Sequence, residues 1–180
     1  MEISEILKKY DTDKNREHEY GGVYDHIFGR FDRNATLNIL EIGTQKGESL
    51  LAWKEYFPNA KVTGIDIVDV VEYRSDAVNY VVQDVNDYRT DEMFDIVIDD
   101  GSHWLKDVVH TVSYFSQKLK LGGCIVIEDV QNPKVWQDAI YEILFPHWEY
   151  NKGHEYTLEY VDNTQVSKVD DYLIVVTKTK

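Results

Sequence analysis

The 180-residue chain has little cysteine, little proline, a shortage of basic side chains and no long apolar run, and each shortage excludes a class of protein. A single cysteine, Cys124, rules out an internal disulfide framework and any multi-cysteine metal cluster. Set within Cys124-Ile-Val-Ile127, it reads as a buried, inert thiol. With 3 prolines, 10 glycines, no internal repeat and no Pro/Gly-rich tract, nothing marks an interdomain linker, so residues 1–180 are expected to form a single domain able to bury a core. The 19 basic residues face 33 acidic ones, a net charge of -14. Such a surface repels a phosphate backbone, so nucleic acid is not an expected partner. No apolar run nears the ~18 residues of a membrane span. Met1-Glu-Ile-Ser-Glu5 also lacks the basic and apolar regions of a signal peptide. The expectation is a soluble cytoplasmic protein with no membrane partner.

What the chain does have is alternation of short apolar strands with amphipathic helices. Ile3, Ile6, Leu7 and Tyr10 have helical spacing. A polar stretch, residues 11–22, follows, and a short helix is expected from Val23 to about Phe31. Strands are expected at Leu37–Ile42, Lys61–Ile67, Asn79–Gln83, Phe94–Ile98 and Cys124–Ile127. Helices should fill Glu48–Phe57, the stretch from Leu105 to Leu119 that Gly122-Gly123 breaks, and Val135–Leu144. Tyr156–Val161 and Tyr172–Thr177 read as an antiparallel pair. Repeated strand–helix units make an α/β protein with a mostly parallel sheet and helices on both faces. In such sheets ligands bind at the carboxyl ends of the strands, beside the switch point between first and fourth.

The residues just after each strand therefore carry the function. Glu41-Ile-Gly43-Thr-Gln-Lys-Gly47 follows the first strand, with glycines for a tight turn and a close approach to a ligand. It is neither Gly-x-Gly-x-x-Gly nor a P-loop, and its acid suits a cationic ligand better than a pyrophosphate. Asp66 ends the second strand, about 20 residues past the glycines, where a nucleoside's ribose diol would be held. Asp84 follows the third strand, Asp99 and Asp100 the fourth, and Glu128 and Asp129 the fifth. Four carboxylates on the rims of two neighbouring strands need a neutralising cation or protons. Neither segment contains a Lys or Arg to serve, and a hard divalent ion such as Mg²⁺ is the natural partner. His103, three residues past Asp100, is placed to act as a general base.

At this point the chain resembles class I S-adenosylmethionine-dependent methyltransferases over nearly its whole length. The resemblance implies a Rossmann-like methyltransferase fold of seven strands with an antiparallel last strand. It also implies a cofactor site in which Glu41, Gly43, Thr44 and Gly47 border the methionine portion, Asp66 the ribose and Asp84 the adenine. Thr12-Asp-Lys14 with His18 and Tyr20, Trp53-Lys-Glu-Tyr-Phe-Pro58, the run from Phe94 to His103, and Gly122-Gly-Cys-Ile-Val-Ile-Glu-Asp129 narrow the match. They are similar to a metal-dependent branch that includes the macrocin and mycinamicin sugar O-methyltransferases. By that similarity Asp100, Glu128 and Asp129 are the metal ligands, Asp99 turns toward the cofactor, and residues 1–36 form helices and a lid over the active site. His18, Tyr20 and Trp104 would face a sugar acceptor, small or glycan-borne; His26, His110, His147 and His154 read as structural or solvated. The macrolide enzymes carry an N-terminal extension absent here, so acceptor identity does not transfer.

The expected function is Mg²⁺-dependent methyl transfer to a sugar hydroxyl. A catechol-type O-methyltransferase is the rival within the same fold, and a non-catalytic binding module the rival outside enzymes. An NAD-dependent oxidoreductase is disfavoured by the missing Gly-x-Gly-x-x-Gly.

Overall fold

The computed structural model describes residues 1–145, 155–165 and 171–180; His147 and His154 lie outside them. Three short helices open the chain, α1 (Ile3–Tyr10), α2 (Asp13–Arg16) and α3 (Gly21–Phe28). β1 (Asn38–Ile42), α4 (Glu48–Tyr56), β2 (Lys61–Asp66), β3 (Val78–Val82), β4 (Phe94–Asp99), α5 (Leu105–Phe115), β5 (Leu119–Ile127) and α6 (Pro133–Leu144) follow, and β6 (Tyr156–Asp162) and β7 (Tyr172–Lys178) close the sheet. The seven strands lie in the order β3-β2-β1-β4-β5-β7-β6. β1 to β5 pair in parallel, and β7 runs antiparallel to both β5 and β6. This is the mostly parallel α/β sheet that the alternating pattern predicts.

Alternate strand residues point to opposite faces, and the sequence supplies apolar side chains for both. Ile39, Val62, Ile96, Ile98, Val126 and Val175 pack on one side against Ile3, Ile6, Tyr24, Phe28 and Trp53 of the N-terminal helices and α4. Leu40, Ile65, Val97, Ile125, Ile127 and Ile174 pack on the other against Val108, Val112, Phe115, Trp136 and Ile140 of α5 and α6. Burying each such side chain stabilises the fold by roughly 1.5–3 kcal/mol. The short helices of residues 1–28 thus complete one of the two helical layers.

Most boundaries fall within two residues of the sequence reading, and the differences that matter are these. The polar stretch 11–22 contains α2, started by Thr12, whose hydroxyl accepts a hydrogen bond from the Lys14 N–H. α6 begins at Pro133, its first turn capped by Asn132. The long helix expected to reach Leu119 stops at Phe115; a 3₁₀ turn, Ser116–Lys118, follows, and Leu119 already pairs with Phe94 as the start of β5. Gly122-Gly123 therefore does not end a helix. It lies where the β4–β5 register shifts, with Gly122 at φ +80° and Gly123 pressed so close to the main-chain oxygens of Phe94, Asp95 and Lys120 that a Cβ would lie 2.9–3.0 Å away.

Candidate active site

The carboxyl ends of β2, β1, β4 and β5 are tied together in one line. Gly43 N–H donates to Ile65 (2.8 Å), Asp100 N–H to Ile42 (2.9 Å) and Glu128 N–H to Asp99 (3.0 Å). The segments that follow these strands therefore converge at the switch point between β1 and β4. Gly43 sits at φ +81°, and a Cβ there would lie 2.1 Å from the Asp100 carbonyl oxygen, so only glycine lets the two turns touch. Gly43→Ala is expected to destabilise the protein by about 2–3 kcal/mol, because backbone must move and the new residue is held at positive φ. A urea denaturation midpoint equal to that of the parent would contradict this.

A cleft of about 260 Å³ opens beside this line, bordered by Gly43, Gln45, Asp66, Asp84, Asn86, Asp99, Asp100 and Thr111 among others. Asp66 accepts hydrogen bonds from the Thr44 and Gln45 N–H groups (3.0 and 2.9 Å) through one oxygen and from Val68 N–H (3.1 Å) through the other. It fixes the glycine turn as well as facing the cleft. Asp84 accepts from both the backbone and the side-chain amide of Asn86 (2.8 and 2.9 Å), and the backbone bond above all holds its pKa below the usual carboxylate range. Asp99 is buried, and burial pushes its pKa up. The Thr111 hydroxyl beside it opposes that rise, and among the described residues the buried Asp99 Oδ2 and Thr111 hydroxyl on the cleft wall have no well-formed hydrogen bond beyond this mutual approach. Buried polar atoms without partners are costly and fit a ligand that brings its own donors and acceptors.

A smaller hollow of about 90 Å³ shares Gly43, Gln45 and Asp100 with the cleft and is otherwise lined by Thr12, Asp13, Arg16, Thr44, Lys46, Ser49 and their neighbours. Gly47 starts α4 at φ +92°, with its Cβ direction toward Val71, Tyr73 and Tyr80 rather than the cleft. Glu41 lines neither hollow. It is fully buried, accepts from Ser49 (2.8 and 2.9 Å) and Trp53 (2.7 Å), and lies 3.4 Å from the Lys14 ammonium.

Beside the cleft stand the remaining carboxylates. Lys14 Nζ hydrogen-bonds Asp100 Oδ2 and donates to Glu128 Oε2 at 2.8 Å, with 1% of its side chain exposed. The sequence reading found no cation in the segments around the acids; the structure supplies one from α2. Tyr24 donates to Glu128 Oε1, and Tyr20, fully buried, donates to Asp129 Oδ1 at 2.6 Å. Burial pushes Asp100 up strongly and Glu128 to about 7, with Lys14 opposing both. Burial lowers Lys14, and Asp100, Glu128 and Glu41 more than restore it, so the ammonium stays charged.

His103 Nε2 lies 3.9 Å from Asp100 Oδ1 and 3.8 Å from Asp129 Oδ2, too far to be tied down by either. Donor atoms of these three residues fall within 4.8 Å of one another, a spacing suited to one metal ion. His103 and Asp129 both sit at positive φ (54° and 53°), a strained setting for non-glycine residues that recurs at functional sites. His18 donates or accepts through Nδ1 at 2.6 Å from the buried Asp171, stacks on Tyr20, and lies 3.5 Å from Asp129. Burial acts to lower its pKa, but the Asp171 hydrogen bond, Asp129 and Glu128 carry it upward. A second metal-suited group, His18, Asp129 and Asp171, results. Trp104 is 67% exposed beside His103. Of the other histidines, His26 is an exposed partner of Arg30 and Glu159, and His110 has a buried Nε2 unpartnered among the described residues.

The site was thus only partly legible from sequence. Asp66, Asp84, Asp99 and Asp100 share the cleft wall as strand-end reading expects. Lys14, Tyr24 and Asp171 escaped it as site residues, because Lys14 is 86 and 114 residues from its partners and no local spacing links them. The one signal was that Lys14 falls inside Thr12-Asp-Lys14, a segment matched to the family.

Comparison with known proteins agrees with this fold. Residues 40–127 match a family model described as a methyltransferase domain. The chain is 36% identical over 143 residues to the 8-demethyl-8-alpha-L-rhamnosyl tetracenomycin-C 2'-O-methyltransferase of Streptomyces olivaceus, covering 72% of the chain and 38% of that protein. It is 33% identical over 144 residues to the mycinamicin VI 2''-O-methyltransferase of Micromonospora griseorubida, covering 72% and 36%. The solved structure of MycE methyltransferase from the mycinamycin biosynthetic pathway, in complex with Mg, SAH and mycinamycin VI, superposes with a TM-score of 0.78 at 26% identity, covering all of this chain and 55% of MycE. The match therefore covers well under half the length of these curated relatives. Among the described residues no helix is long and apolar enough to cross a membrane.

Proposed function

Because the chain belongs to the class I S-adenosylmethionine-dependent methyltransferase family, in the branch of the mycinamicin, macrocin and tetracenomycin sugar O-methyltransferases, we propose that it transfers a methyl group from S-adenosylmethionine to a sugar hydroxyl, with a divalent cation, Mg²⁺, assisting. The observation that carries this reading is the convergence at one switch point of a cleft walled by Asp66, Asp84 and Asp99 with the open set Asp100, Asp129 and His103. The buried Asp99 carboxylate and Thr111 hydroxyl, neighbours on the cleft wall with little else to bond among the described residues, suit a nucleoside's polar edge. The carboxylate oxygens of Asp100 and Asp129 suit a hard cation.

Asp66 holds the ribose hydroxyls, and Asp84 and Asn86 stand at the adenine end. Gly43, Thr44 and Gly47 shape the turn that accepts the methionine portion; Glu41 supports that turn from beneath by anchoring Ser49 and Trp53 of α4. Asp100, Glu128 and Asp129 are the metal ligands. When bound, S-adenosylmethionine supplies the methyl as a sulfonium substituent, and the cation makes an acceptor hydroxyl more acidic. His103 accepts the hydroxyl proton at Nε2, which no short hydrogen bond of the described residues occupies. Of residues 1–36, the stretch from Thr12 to Tyr20 covers the carboxylate rim while α1 and α3 stay packed in the core; His18 and Tyr20 border Asp129, and Trp104 offers an exposed face to the sugar ring.

Methyl-transfer assays on deoxyhexose glycosides, free hexoses and catechols, each with S-adenosylmethionine and Mg²⁺, test the reading. Transfer to the glycosides is the expected result, and transfer confined to catechols overturns the sugar assignment. Asp66→Ala is expected to weaken S-adenosylhomocysteine binding by about 1.5–3 kcal/mol through lost charged hydrogen bonds. Calorimetry giving the parent affinity in this variant would contradict its placement.

A further inference from the structure

We propose that Lys14 is a resident counter-ion of the metal site, holding its carboxylates in place without a divalent ion and keeping that ion weakly bound and exchangeable. The proposal rests on Asp100, Glu128 and Asp129 being the ligands. Four of their six carboxylate oxygens already accept donors from the segment 14–24. Lys14 takes Asp100 Oδ2 and Glu128 Oε2, Tyr24 takes Glu128 Oε1, and Tyr20 takes Asp129 Oδ1. What remains facing His103 is Asp100 Oδ1 and Asp129 Oδ2. Glu128, buried to 2% exposure, already has a donor on each oxygen, so a metal there would share an oxygen with Lys14 or Tyr24 or displace that donor.

Lys14 is no surface side chain that happens to reach in. It is 1% exposed, its N–H is fixed by Thr12 Oγ1 and Asp13 Oδ1, and its ammonium also lies 3.4 Å from Glu41. Three carboxylates around one ammonium leave a surplus of negative charge, so a divalent ion is still attracted, but it meets a fixed positive charge on the same ligands. Without that ammonium the buried carboxylates would repel one another, and they would need either protons or metal to stay together. Metal would then be a folding requirement. With it, metal is free to come and go with each turnover, and the folded chain does not depend on it.

Lys14→Met keeps the stem and removes the charge, and Mn²⁺ binding followed by its paramagnetic resonance signal, with thermal melting alongside, reads the result. The wild-type melting temperature is expected to change little with Mn²⁺. The Lys14→Met melting temperature should fall without metal and recover with it, and Mn²⁺ should bind about tenfold tighter or more. A variant that fails to fold alone should fold when Mn²⁺ is present. Adding Glu128→Gln to Lys14→Met removes the matching negative charge, and is expected to restore metal-free melting and abolish the tightened binding. Equal or weaker Mn²⁺ binding by Lys14→Met than by wild type, or no recovery of its melting temperature with metal, overturns the counter-ion role alone. Absence of Mn²⁺ binding in both proteins, while S-adenosylhomocysteine still binds, overturns the ligand assignment beneath it.

Discussion

Replacing His103 by alanine is expected to lower methyl transfer about 10²–10⁴-fold while cofactor and metal affinity stay near the parent values. The side chain is 30% exposed and stands at the mouth of the carboxylate cluster, its Nε2 3.8 and 3.9 Å from Asp129 and Asp100, beyond hydrogen-bond distance. Its loss should therefore cost little in stability. Turnover within a fewfold of the parent would show that deprotonation does not need the imidazole. Collapse of cofactor binding together with turnover would make His103 a structural residue.

The second large effect is expected at Asp100. Asp100→Asn removes the charge that Lys14 pairs with and that the proposed metal site would use, and turnover should fall about 10²-fold or more, the equivalent of about 2.7 kcal/mol or more. Asp129→Asn should behave similarly, and each variant should lose the response to added Mg²⁺. Chelation of the parent with excess EDTA should reproduce the loss, and readdition of Mg²⁺ should reverse it. Full turnover of the parent in EDTA would sink the metal requirement. Asp100 also receives the Lys14 ammonium, so the amide variant should melt at a lower temperature than Asp129→Asn, where Tyr20 donates to the carboxylate and His18 and His103 lie 3.5 and 3.8 Å away.

The sheet could be read from the sequence because each strand is a short apolar run that feeds both faces; Ile39 and Leu40, or Ile96 and Val97, divide between the two core layers as a buried parallel strand requires. Leu119 was misread because its spacing from Phe115 fits a helix face, and nothing local reveals that Phe94 waits across the sheet to pair with it. The strand-end acids were legible for a topological reason: parallel strands bring their carboxyl ends to one rim. Glu41 is an acid of another kind. It lies within β1 rather than after it, so its side chain enters the layer of α4, where Ser49 and Trp53 receive it. Lys14 could not be foreseen, because a short capped helix far from the acids sets its direction.

The contact between Lys14 and the rim also fixes when the site can come into being during folding. The lysine is made early in synthesis, yet Asp100 and Glu128 follow 86 and 114 residues later. Until β4 and β5 have joined the sheet, the ammonium has no reason to leave water, and α1 to α3 have an incomplete layer to pack on. Contacts of such sequence separation form late, after the loop entropy between them has been met by other interactions. Catalytic competence should therefore lag behind the appearance of secondary structure in refolding, and the closing of the first 28 residues over the finished sheet should be the step that ends the lag.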